Sequence, residues 1–100
     1  MNFTAAAYEL AAEQDSNKCV MLLFPTRAYW FDQGSCRSLL PKNIFTRFSD
    51  EHSGLKMLPV DVLIVVDPDN DGFNEDGYLY AMERTRAQRD PKILFIPEPA

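Results

Sequence analysis

Cysteine is scarce in this chain: Cys19 and Cys36 are its only two. Two thiols are too few for a disulfide framework, and with no segment directing export they are expected reduced, in a cytoplasmic protein. Long apolar runs are missing as well. None approaches the roughly 20 residues that span a bilayer, so no membrane partner is expected. The opening stretch, Met1 to Asp15, has neither a basic start nor an uninterrupted apolar core, and is read as neither signal peptide nor anchor. An excess of base is also lacking, since ten Lys and Arg stand against fifteen Asp and Glu, a net charge of -5. Neutralising phosphates needs clustered bases, and here they are scattered, so nucleic acid is not an expected partner. The single histidine, His52, lies in a polar stretch without a visible acid–base or metal partner and reads as a solvated surface residue.

Of the 100 residues, 46% are hydrophobic, enough for one core and therefore for a single domain over residues 1–100. The stretch Leu58 to Gly72, LPVDVLIVVDPDNDG, organises the rest. Its centre, Val62 to Val66, is aliphatic without polar alternation, as in a strand covered on both faces of a parallel sheet. Asp67, Asp69, Asp71 and Gly72 follow directly, at the carboxyl end of that strand, where open α/β sheets place their sites.

Taken in order, Phe3, Ala6, Ala7, Leu10 and Ala11 recur at helical spacing and predict a first helix ending near Asp15 to Asn17, capped by Asn2 or Thr4. Cys19 to Phe24 is a short apolar run suited to a buried strand. Pro25 to Gly34 reads as a loop carrying Tyr29, Trp30 and Phe31. From Ser35, the spacing of Leu39, Leu40, Ile44, Phe45 and Phe48 predicts a second helix, kinked or restarted at Pro41. Asn74 or Asp76 is expected to cap a third helix, with Tyr78, Leu79 and Met82 toward the core and Arg84, Arg86 and Arg89 near its C-terminus. Ile93 to Ile96 is the last strand. Alternation of helix and strand then implies a small layered α/β domain, a mainly parallel sheet of about three strands flanked by three helices.

The segment Gln33 to Pro41, QGSCRSLLP, resembles the active-site turn of thioredoxins, Trp-Cys-Gly-Pro-Cys-Lys, with Gly34, Cys36, Arg37 and Pro41 in register. The order of elements is similar too, and Pro91 stands before the last strand, where thioredoxins carry a cis-proline. The resemblance implies a thioredoxin-like scaffold. Gln33 occupies the place of the nucleophilic cysteine, so dithiol exchange is not implied. A single-thiol redox protein using Cys36, activated by a helix N-terminus and Arg37, is the enzymatic alternative. The apolar strand followed by Asp67-Pro68-Asp69 and Gly72 is similar to the acidic magnesium motif of Toprim domains. Divalent-metal binding by Asp67, Asp69 and Asp71 is the alternative this implies, although Pro25-Thr26 stand where those domains place a Glu and Tyr78 stands where a calcium loop closes with one.

The residues themselves favour a non-enzymatic protein-interaction module, an adaptor, inhibitor or immunity-type protein, without a cofactor. Between Lys56 and Arg84 every charge is acidic. Such a stretch steers toward a basic protein partner. Aromatics in a loop either cap a core or anchor an interface. The expected contact surface is accordingly Tyr29, Trp30 and Phe31 with Asp69, Asp71, Glu75 and Asp76.

Overall fold

The computed structural model describes residues 3–32, 40–51, 55 and 59–97. Its elements are α1 (Phe3–Ala12), β1 (Val20–Phe24), α2 (Arg27–Asp32), β2 (Ile44–Phe48), β3 (Val62–Val66), α3 (Glu75–Arg86) and β4 (Lys92–Ile96). The strands form one sheet in the order β2-β1-β3-β4, with every pairing parallel. The molecule is a small α/β domain, as the alternation of elements implies.

Central β1 and β3 are buried at every position, which is why both read as unbroken apolar runs. Their side chains alternate between two cores. Val20, Leu22, Phe24, Val62, Ile64 and Val66 face Ala7 and Ala11 of α1, with Tyr29 and Trp30 of α2 packed on the same cluster. Met21, Leu23, Leu63 and Val65 face Ala81 and Met82 of α3, together with Leu55 and Val60. The chain moves one way across the sheet from β1 to β2 with α2 on the first face, and the other way from β3 to β4 with α3 on the second. Changing face with direction keeps both crossovers of one hand, as parallel βαβ units require. The reversal falls between β1 and β3. Their carboxyl ends, and the loops that follow them, therefore lie side by side.

Four expectations are corrected. Ile44 to Phe48, read as part of a helix, is edge strand β2, so the sheet has four strands. Ile44 and Phe48 enter the α1 core while Phe45 and Arg47 point to the other face, where the Arg47 guanidinium lies 5.6 Å from the Phe45 ring centroid. Arg27 to Asp32, read as loop, forms the short helix α2, capped by Thr26 Oγ1, which accepts a hydrogen bond from Tyr29 N at 3.1 Å. Leu79, expected in the core, is 47% exposed on the outer side of α3. The cis peptide lies at Ile96-Pro97 and not before Pro91. Nothing in this sheet is specific to thioredoxins or to Toprim domains. The segment Gln33 to Leu39, with Cys36 and Arg37, lies outside the described residues, as does His52.

Candidate interaction surface

Two loops meet at the carboxyl end of the sheet, one after β1 and one after β3, and a buried serine fastens them. Ser49, fully buried just past β2, donates from Oγ to Pro25 O at 2.6 Å and accepts there from Asn74 N at 2.9 Å. Its own N–H donates to Phe24 O at 3.0 Å. Ser49 thus ties the ends of β1 and β2 to the start of α3. Asn74 caps that helix by accepting from Gly77 N at 3.0 Å, as the sequence predicts. A Cβ at Gly77 would overlap the Ser49 carbonyl, so only glycine lets α3 approach this closely.

The aromatic group splits. Trp30 lies on the core, its ring centroid 5.8 Å from that of Phe48, and its Nε1 donates to Tyr8 Oη at 2.9 Å. Tyr29 packs against Phe24 at 6.5 Å and is half-buried. Burial, and after it the nearby Asp67 carboxylate, push the Tyr29 phenol well above its ordinary pKa, although its hydroxyl makes no hydrogen bond of standard geometry. Phe31 alone of the three is largely outside, 53% exposed and edge-on to Trp30 at 5.1 Å. Consecutive helical residues point about 100° apart, so three adjacent aromatics could not share one environment.

The acidic group stays at the surface. Asp69, Asp71, Glu75 and Asp76 are all exposed, and none has an ion-pair partner among the described residues. Glu75 and Asp76 occupy the first turn of α3, where the helix dipole favours negative charge. Leu79 stands one turn on from them, on the same side of the helix. Sequence reasoning missed Leu79 because its spacing to Met82 suits a buried stripe; its separation from Glu75 and Asp76, four and three residues, was the available signal.

Asp67 does not join this group. Its backbone takes the left-handed conformation, φ 53°, its N–H donates to Ile96 O at 2.6 Å, and its Oδ2 accepts a long hydrogen bond of 3.5 Å from Asn70 Nδ2. The turn is completed by Gly72 N donating to Asn70 Oδ1 at 2.8 Å. Among the described residues, no group of three His, Cys, Asp or Glu side chains is arranged to hold a metal ion. The described thiol, Cys19, has its pKa raised, first by burial and then by the Asp61 carboxylate, against a lowering by Arg47. Burial suppresses the thiolate that any redox chemistry there would need. Across the one described ion pair, Arg27 Nη2 meets Glu51 Oε1 at 2.9 Å on an open surface.

A cavity of about 350 Å³ opens at the opposite, amino end of the sheet, where Lys92 Nζ donates to Gln14 Oε1 at 3.1 Å beside Lys18, Asp15 and Asp90. None of the expected site residues lines it. No described helix is long and apolar enough to cross a membrane.

These features define a doubly wound α/β domain with an acidic, solvent-facing edge at the carboxyl end of its sheet. No family model matches the chain, and neither curated proteins nor solved structures give a significant match.

Proposed function

We propose that this chain is a protein-interaction module, of adaptor, inhibitor or immunity type, that binds a basic protein partner through Asp69, Asp71, Glu75 and Asp76. One observation carries the reading: four exposed carboxylates fall within the eight residues 69–76, and none of them is in an ion pair among the described residues. Like charges so placed repel, and a basic partner would relieve that repulsion while steering association. Leu79, exposed one turn on from Glu75 and Asp76, supplies an apolar contact beside them. Phe31, exposed on α2, offers a further apolar contact, while Tyr29 and Trp30 pack on the core. Charges this exposed are screened over about 8 Å at physiological salt, so binding should weaken as salt rises.

The test is affinity purification of the tagged chain with quantitative mass spectrometry, beside a variant with Asp69, Asp71, Glu75 and Asp76 all changed to Lys. A partner that is basic, salt-sensitive and lost from the variant supports the proposal. An unchanged set of captured proteins from a folded variant would reject it.

A further inference from the structure

The dipeptide Asp-Gly occurs twice, at Asp71-Gly72 and at Asp76-Gly77. Such bonds can rearrange without any catalyst. The glycine amide nitrogen attacks the aspartate Cγ, a five-membered succinimide closes, and one water leaves. Water then opens the ring at either carbonyl, regenerating aspartate or leaving isoaspartate, in which the main chain runs through the side-chain carboxyl. The atoms balance, since the water lost on closure returns on opening, and nothing is oxidised or reduced. Glycine after the aspartate matters because it sets no Cβ in the path of ring closure.

The two sites differ in what holds them. Both glycine N–H groups donate to an asparagine side chain, Gly72 to Asn70 Oδ1 at 2.8 Å and Gly77 to Asn74 Oδ1 at 3.0 Å, so that bond does not separate them. Burial and backbone do. Asp71 and Gly72 are exposed in a turn outside any helix or strand. Asp76 lies within α3, where ψ is held near about −42°, far from the rotation that lays Cγ on the next nitrogen. Gly77 is buried against the Ser49 carbonyl, so reaching that rotation means unwinding the first turn of α3 and leaving that contact.

We propose that Asp71-Gly72 is a site of spontaneous isoaspartate formation in the folded protein, and that Asp76-Gly77, five residues further on, is protected by helix α3. The rearrangement inserts a methylene into the backbone of the turn that packs on Thr26, where a Cβ at Gly72 would already stand 3.3 Å from Thr26 Cγ2. It therefore reshapes the acidic surface without removing a carboxylate.

The full chain, incubated at neutral pH and physiological temperature both folded and in urea, is digested and its isoaspartate peptides are quantified. In the folded chain isoaspartate at Asp71 should exceed that at Asp76 by about tenfold or more, a barrier difference of ~1.4 kcal/mol, and the gap should close in urea. Asp71→Glu, whose ring would need six members, should abolish the species. Equal accumulation at the two sites in the folded chain, or none at Asp71 above the Asp71→Glu background, would overturn the proposal.

Discussion

The two segments at the carboxyl end of the sheet start from neighbouring strands and are packed in opposite ways. After β1, two of three adjacent aromatics turn inward: Trp30 lies against Phe48 and bonds Tyr8, and Tyr29 packs on Phe24. After β3, four acids turn outward and find no described partner. The difference teaches that the aromatic segment, mostly helix α2, is built into the fold while the acidic segment is left exposed. Stability and binding should thus be separable by mutation.

The largest expected effect breaks the comparison from beneath. Gly77→Ala drives a methyl into the Ser49 carbonyl, backbone that cannot move aside cheaply, and should destabilise by about 3 kcal/mol, read by urea unfolding. Next comes Trp30→Ala, which removes a half-buried indole and its hydrogen bond to Tyr8; a loss of about 2 kcal/mol is expected, below that of a fully buried tryptophan. A smaller effect belongs to Glu75→Gln with Asp76→Ser. These acids interact with the N-terminus of α3, and losing both should lower stability by about 1 kcal/mol, diminishing further in high salt.

The smallest effect is calcium. With Asp67 turned toward Asn70 and Tyr29, the loop lacks a converged set of carboxylates, and micromolar Ca²⁺ should leave the melting temperature unchanged. A rise of several degrees that Asp69→Asn abolishes would make the loop a metal site instead of a contact surface.

How much of this was legible varies with burial. β3 and β1 were readable because strands covered on both faces leave a run of apolar residues that no helix of that length explains. The Asn74 cap was readable because capping is local chemistry. β2 was not, because five residues at a sheet edge, with Phe45 and Arg47 on the outer side, fit a helical spacing once Leu39 and Leu40 are counted with them. Pro41, which disfavours helix in the residue before it, was the signal to weigh more. α2 is six residues long, too short for periodicity, and only Thr26 as a cap marked it. In the candidate surface the acids were legible from their spacing. The inward turn of Trp30 and the clasp at Ser49 depend on contacts 18 to 25 residues apart in the chain, between Trp30 and Phe48 and between Ser49, Pro25 and Asn74, which no local pattern records.

The separation of binding from stability is tested most directly by one variant, Asp69→Asn, Asp71→Ser, Glu75→Gln and Asp76→Ser combined, measured for thermal melting and for capture of the basic partner in the same preparation. The account predicts partner capture lost with stability lowered by no more than about 1 kcal/mol. Capture retained by this variant but lost by Trp30→Ala, at equal folded fraction, would contradict it.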